Sequence, residues 1–428
     1  ILEKEGYSVG IIAQPDWSTN ESFLQLGLPR LFFCITVGNI DSMVANYTAN
    51  KRRRRSDAYS PGGLAGLRPD RASIVYANKV RQIFGDIPIV LGGIEASLRR
   101  FAHYDWWDDG VRRSIIVDSR ADILVYGMGE RQIREIARRL RSGADLGGIR
   151  GTVIVTKEKD RFPDVVEIPS FDDVKSDKDQ FCEAFRAVYA HHDPFRGKIA
   201  VQKHDTRYVC QFPPPPPLSP DELDSVYDLP YLRAWHPSYN DRGGVPGFET
   251  VRNSIISHRG CCGECNFCSL SMHQGRIVQS RSEKSIIREA RGMASDPSFR
   301  GTISDIGGPT ANLYGASCVR WTEGGPCEKR HCLTPQPCPH LKTGLARALG
   351  MLFAVHNLAR VKHVFVESGI RYDLCRSAEG QTYLRGLCNR HVSGQMKVAP
   401  EHCSPVVLRT MNKPGFEIYE EFLSQFRH

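Results

Sequence analysis

The sequence predicts an α/β protein of two domains, an N-terminal parallel sheet with helices on both faces followed by a partial barrel of β/α units. Three observations carry that expectation. Short apolar runs ending on glycine alternate with stretches whose apolar positions recur at helical spacing; a run of five prolines interrupts the alternation; and the alternation resumes in the C-terminal half.

In order along the chain, residues 8–13 (Ser-Val-Gly-Ile-Ile-Ala) and 30–36 read as strands and Ser73 to Phe84 as a helix. The apolar run Ile87 to Leu91 ends at Gly92-Gly93, and Ile123 to Tyr126 ends at Gly127-Met128-Gly129-Glu130. Glycines just past strand ends let backbone approach a ligand closely. Gly-Met-Gly-Glu falls short of a full Gly-x-Gly-x-x-Gly, so a tight turn is the reading it supports. Thr152 to Val155 and Val165 to Ile168 read as a hairpin or a sheet extension, and Asp179 to Tyr189 as a helix. Pro213 to Pro217 cannot join a helix or a central strand and mark a stiff linker. The expected boundaries are 1–210 for the first domain, 211–245 for a Pro-rich linker and strap carrying Tyr227, Tyr231, Trp235 and Tyr239, and 246–428 for the partial barrel. In that last part, strands near 253–258, 301–306, 361–367 and 395–399 alternate with helices near 284–294, 344–358, 381–391 and 405–412. The chain opens at Ile1 without an initiator Met or signal segment and stops inside a helical pattern, so a fragment truncated at both ends is expected.

A composition of 41% hydrophobic and 25% charged residues is that of a soluble globular protein. Stretches such as Met351 to Val355 are far shorter than the roughly 20 apolar residues that span a bilayer, so no membrane partner is expected. The net charge of +9 owes much to Lys51 to Arg55; a solvated loop is the reading preferred for this run over a nucleic-acid contact. Fourteen cysteines without a secretory signal point to a reducing, cytoplasmic setting in which thiolates serve metals more often than disulfides. Eight of them fall between Cys261 and Cys338, so metal chemistry belongs there.

Directly after the first strand of the second domain comes His258-Arg259-Gly260-Cys261-Cys262-Gly263-Glu264-Cys265-Asn266-Phe267-Cys268. Cys261, Cys265 and Cys268 form Cys-x3-Cys-x2-Cys, which lets one loop wrap three corners of a four-iron cubane and leaves the fourth iron for a ligand from outside the protein. Cys262 and Cys265 are also spaced as half of a zinc site, but Cys262 breaks the x3 spacing and reads as a bystander to the cluster.

This spacing, with an aromatic residue before the third cysteine, resembles the signature of the radical S-adenosylmethionine (SAM) superfamily. Further segments, among them Ile11 to Trp17, Gly92 to Ser97, His273 to Arg276 and His391 to His402, are similar to the YgiQ family of radical SAM proteins nearly end to end. The resemblance implies a Rossmann-like, cobalamin-binding-like N-terminal domain and then a partial radical SAM barrel. It also implies a [4Fe-4S] cluster on Cys261, Cys265 and Cys268 with SAM on the open iron, Phe267 near the adenine, and a 5′-deoxyadenosyl radical as the reactive product, made with an electron from a donor such as flavodoxin or ferredoxin. Gly307-Gly308-Pro309 stands where the superfamily often has Gly-Gly-Glu at the SAM amino group, so backbone contacts from Gly307, Gly308 and Pro309 are expected, with a plain strand-end turn as the alternative. The N-terminal domain has no Asp-x-His-x-x-Gly sequence, and cobalamin has no support in its residues. The superfamily's last barrel strands, which also touch SAM, are expected to lie beyond His428.

Cys318, Cys327, Cys332 and Cys338 follow the second barrel strand in a long proline-rich loop and suggest a second metal, either structural zinc or an auxiliary iron–sulfur cluster, with His331 and His340 as substitute ligands. Glu367, Arg371, Lys397, Glu401 and His402 are expected at the same mouth of the barrel, without an assigned role. The function expected is that of a radical SAM enzyme whose substrate the sequence leaves unnamed. The alternatives are a methylthiotransferase-like enzyme modifying RNA or protein, and a zinc-stabilised binding module without catalysis.

Overall fold

In the computed structural model, which describes residues 1–427, the chain divides into two units, residues 1–216 with 234–248 and residues 217–233 with 249–428. The segment expected as linker and strap is thus shared between them.

Nine strands form in the first unit: β1 (Phe33–Thr36), β2 (Ile89–Gly92), β3 (His103–Asp105), β4 (Gly110–Arg112), β5 (Ile123–Val125), β6 (Thr152–Thr156), β7 (Val165–Ile168), β8 (Ile199–His204) and β9 (Arg207–Gln211). Seven make one sheet in the order β1-β2-β5-β6-β9-β8-β7, while β3 and β4 form a separate antiparallel ribbon. Ile89, Val90, Leu91, Ile123 and Leu124 are fully buried, which is why β2 and β5 read as continuous apolar runs rather than alternating ones. The parallel pairs β1–β2 and β2–β5 are those the strand–helix alternation predicts. Beyond β5 the sheet turns antiparallel through β6, β9 and β8. The 152–155 and 165–168 segments therefore extend the sheet without forming a hairpin: β6 pairs with β9, and β7 pairs parallel with β8.

No strand forms at 8–13. Val9 and Ile11 are exposed, and the sheet ends at β1; an apolar β-type run becomes a strand only where a neighbour takes its backbone hydrogen bonds. The Gly-Met-Gly-Glu turn is held from the helix Gly93–Leu98, with Gly127 N donating to Ser97 Oγ at 3.1 Å and Gly129 in the left-handed region just before the helix Glu130–Ser142. The prolines are held by their carbonyls: Gly151 N donates to Pro213 O at 2.8 Å and Arg131 Nη1 to Pro216 O at 2.8 Å.

The second unit has six short strands, β10 (Ser254–Ile256), β11 (His258–Arg259), β12 (Gln279–Ser280), β13 (Thr302–Ile303), β14 (Asp305–Gly307) and β15 (His363–Val364). Parallel pairing joins β10 to β14 and β13 to β15, and a single parallel bridge joins Ile370 to Val398 where the fourth barrel strand is expected. Helices Glu283–Ser295, Leu345–His356 and Ala378–Arg390 bury Ile286, Ala290, Leu352, Val355, Leu384 and Leu387 with Ile255, Ile303, Ile306 and Val364 of the strands. Each fully buried aliphatic side chain of this kind contributes about 1.5–3 kcal/mol. Ser282 and Ser377 cap two of these helices through their side chains. The helix Pro220–Tyr227, closed by a Ser219/Glu222 capping box, lays the Tyr227 ring under the fully buried Arg281 guanidinium at 4.2 Å. Among the described residues no helix is long and apolar enough to cross a membrane.

Candidate metal centre

The antiparallel ribbon β11–β12 opens and closes the loop that carries Cys261, Cys265 and Cys268. Gly260 has to be glycine: its φ is +77°, and a Cβ there would lie 2.1 Å from the carbonyl oxygen of Ile277. Gly260 N donates to Gln274 Oε1 at 3.1 Å, Cys261 N to Gly275 O at 3.1 Å and Cys268 N to Cys265 O at 2.9 Å. The far side of the loop is tied to the end of the helix Pro405–Thr410. Asn266 N donates to Met411 O at 3.0 Å, Asn266 Nδ2 to Thr410 O at 2.8 Å, and Asn412 Nδ2 to Glu264 O at 2.8 Å. Glu264 sits in the left-handed region at φ 46°, which costs a non-glycine residue roughly 1–2 kcal/mol. Its buried carboxylate offsets that cost by facing Arg276 at 3.4 Å and His331 at 3.3 Å.

Burial pushes the Cys265 thiol up, against the pull of the Arg371 and Lys413 charges, and burial likewise raises Cys268, opposed by the backbone N–H of Leu270. The buried Arg371 guanidinium grips Asp373 through Nε at 3.0 and 3.2 Å and through Nη2 at 2.7 Å. Burial works against its charge, but Asp373 and the neighbouring Cys265 and Cys261 outweigh it and hold Arg371 firmly protonated. A buried cation beside two thiols would offset the negative charge those sulfurs carry if deprotonated as metal ligands. Lys413 has its pKa lowered by burial, opposed by Cys265, and donates to Ala399 O at 2.5 Å.

The Gly307–Thr310 segment lies beside the same loop, with Thr310 Oγ1 3.8 Å from Cys261 Sγ. A Cβ on Gly308 would meet the buried His258 ring at 2.5 Å from Cε1. Burial pushes His258 down to about 4, opposed by the backbone of Thr310, so the ring packed on Gly308 is neutral. Gly307 O already accepts from Ser257 N at 2.7 Å and Ser257 Oγ at 2.9 Å, which fills both its lone-pair directions. Gly308 and Pro309, both half-buried, keep the free carbonyls of the three, and Phe267 is 54% exposed.

Of the second cysteine group, Cys318, Cys332 and Cys338 pack with Cys261 against an apolar cluster of Cys262, Ile277, Val278, Leu313, Trp321, Leu333 and their neighbours, whereas Cys327 receives a contact from Arg320 Nη1 at 3.8 Å. The buried Cys262 thiol donates to Cys332, which raises Cys262 and lowers Cys332. His331 is taken up by Glu264 and His340 is exposed. Among the described residues no three His, Cys, Asp or Glu side chains converge on one point as for a single metal ion. Glu367 pairs with Lys397 at 3.6 Å and Glu401 with Lys413 at 4.0 Å, while His402 Nδ1 accepts from Ser404 N at 2.8 Å. Sequence reasoning missed Thr310, Asn412 and Glu264 as parts of the centre. The loop motif names the thiols and not their supports: Thr310 and Asn412 come from distant segments, and Glu264, although inside the loop, carries no spacing signal.

Residues 1–254 match the family described as "Radical SAM N-terminal". Over its whole length the chain is 48% identical to a UPF0313 protein of Clostridium botulinum, spanning 66% of that relative, and 51% identical to one of Methanocella arvoryzae, spanning 71% of it. The chain thus covers about two thirds of the length of these curated relatives. A likeness of fold, at 17% identity and a TM-score of 0.51, extends over 100% of this chain and 60% of a radical SAM methyltransferase, TsrM, from Kitasatospora setae, solved with tryptophan substrate and a SAM analogue. The same methyltransferase with cobalamin and a [4Fe-4S] cluster bound gives a TM-score of 0.50.

Proposed function

Because the chain belongs to the radical SAM N-terminal family and, with it, to the UPF0313 proteins, we propose that its second unit is a radical SAM catalytic domain whose cluster is held by Cys261, Cys265 and Cys268. The supporting observation is the loop itself: three thiols at Cys-x3-Cys-x2-Cys spacing, pinned at both ends, with a protonated Arg371 against two of them. When bound, a [4Fe-4S] cluster with one open iron supplies the electron that splits SAM into methionine and a 5′-deoxyadenosyl radical. The chain's own residues hold and shield. Arg371 and Lys413 balance thiolate charge, Thr310 faces the first cysteine, and the Gly308 and Pro309 carbonyls stand ready for the amino group of SAM. The exposed Phe267 offers a ring to its adenine. Cys318, Cys332 and Cys338, with Cys327, belong to the same proposal as ligands of a second metal, zinc or iron–sulfur, whose binding would draw together thiols that do not converge on one point without it and so fasten the loop of residues 318–342.

The test is anaerobic reconstitution of the chain with iron and sulfide, followed by iron analysis and by assay for 5′-deoxyadenosine from SAM under reduction. Wild type is expected to bind a four-iron cluster and release 5′-deoxyadenosine, and Cys265→Ala to do neither. Zinc as the only metal retained, with no SAM cleavage, would favour a zinc-stabilised module.

A further inference from the structure

The run Lys51–Arg55 takes no part in the proposed chemistry, and in the first unit it is an ordered turn rather than a free loop. Thr48 N donates to Arg52 O at 2.8 Å, Lys51 N to Thr48 O at 3.0 Å and Arg54 N to Asn46 O at 2.8 Å, and Tyr47 bridges to Arg53. Fixing five consecutive cations on one turn concentrates a positive field that a mobile chain would spread. All five are exposed, and little on the protein neutralises them. Arg53 meets Asp70 at 3.7 Å in solvent, Arg54 Nε donates to the carbonyls of Val44 and Tyr47, and Lys51 Nζ donates to Trp107 O at 3.4 Å. Among the described residues the side chains of Arg52 and Arg55 have no partner. Two of the carboxylates nearby are paired with other arginines, Arg71 taking Asp105 at 2.9 Å and Asp108 at 2.7 Å and Arg112 also taking Asp108, while Asp109 accepts from the neutral Tyr104 hydroxyl and keeps its charge.

The β3–β4 ribbon brings aromatic rings to this same turn. Trp106 Nε1 donates to Ala49 O at 3.0 Å, Lys51 Nζ stands 5.1 Å from the Trp106 ring centre, and Arg53 lies 5.2 Å over Tyr47. Trp106 is nevertheless 50% exposed, so a large ring is pinned at the turn with much of its surface in water, and Tyr104, 47% exposed, stands on the same ribbon. Clustered cations track a phosphate backbone, and fixed exposed rings stack on unpaired bases; the pairing of the two is what single-strand binding surfaces use. A duplex hides its base faces. A lipid surface is usually met by an amphipathic helix, and this turn has none. The geometry points to a binding surface for a single-stranded polynucleotide, with residues 51–55 on the phosphates and Trp106 under a base. It stands on the first unit alone, whatever the metal centre does.

Fluorescence anisotropy tests it, using the full chain with labelled unstructured oligonucleotides of about twelve nucleotides, as RNA and as DNA, beside a duplex of the same length. Binding to the single strands is expected, weakening as salt rises. Arg52→Ala with Arg55→Ala should lower the slope of log affinity against log salt by about 1.4, at roughly 0.7 for each lost phosphate contact. Trp106→Ala should weaken binding about tenfold with the slope unchanged, since it removes stacking and no charge, and Trp106→Phe should recover most of the loss. A preference for RNA assigns the strand as RNA, and equal affinity assigns the surface to single strands of either sugar. The inference is overturned by no binding at low salt, by a duplex bound as tightly as a single strand, by a salt slope indifferent to the two arginines, or by capture of anionic phosphatidylserine vesicles alone.

Discussion

Gly308→Ala isolates the contact that sets the Gly307–Thr310 segment against the cysteine loop. The added methyl would stand 2.5 Å from Cε1, 2.7 Å from Nδ1 and 2.9 Å from Nε2 of His258. Gly308 has no positive φ, so the effect is packing and not backbone strain. The ring has little room to yield: His258 is fully buried and its Nδ1 is 2.9 Å from Ser257 Oγ. Overpacking of this kind costs about 1–3 kcal/mol, which corresponds to a fall in Tm of roughly 2–12 °C for a domain of this size. The same displacement moves Thr310 away from Cys261, so SAM cleavage should fall by more than the stability loss accounts for at a temperature where the variant is folded. Thermal unfolding and the 5′-deoxyadenosine assay read the two effects. Adding His258→Ala makes room for the methyl, so the pair should be less destabilised than the two single changes together imply. An unchanged Tm in Gly308→Ala, or strict additivity in the double variant, would refute the packing argument.

Asn412→Ala removes the hydrogen bond to Glu264 O, costs about 1 kcal/mol, and should hasten the loss of iron to a chelator while Asn266 still holds the loop. Arg371→Met leaves Asp373 buried without its cation and should cost about 3–5 kcal/mol in denaturant unfolding; adding Asp373→Asn should restore stability but not iron retention, because the charge beside Cys265 is still missing. His103 and His204 are pushed by burial from 6.5 to about 4. The unfolded chain takes up their protons below pH 6.5 while the folded chain does not, so stability is flat above pH 6.5 and falls as pH drops toward 4, by up to about 3 kcal/mol per histidine. Tm measured from pH 7 to 4 checks this, and His204→Gln should flatten the profile.

What was readable in advance follows the range over which each signal acts. Ile87 to Leu91 and Ile123 to Tyr126 announce buried parallel strands because their apolar runs and closing glycines are local. The antiparallel half of the sheet is not local: β6 finds its partner β9 some fifty residues later, across β7 and β8, and no periodicity encodes that choice. Residues 8–13 have a strand's composition, but only a neighbouring edge would make them one. At the proposed metal centre the three thiols stand out in the sequence because eight residues hold the whole motif. Thr310 joins them across 49 positions and Asn412 reaches Glu264 across 148, distances at which side-chain identity carries no marker. The basic run was visible from the start, but Trp106, which changes its meaning, meets the turn only through the ribbon, 57 residues from Ala49.

The central claim, three protein thiolates and one open iron, is tested most directly by Mössbauer spectroscopy of the anaerobically reconstituted chain before and after SAM is added. The account predicts a cubane with one iron distinct from the other three, whose signal shifts when SAM binds, and the loss of that cubane in Cys265→Ala. A cubane in which all irons are equivalent and indifferent to SAM, or one that survives Cys265→Ala intact, would contradict it.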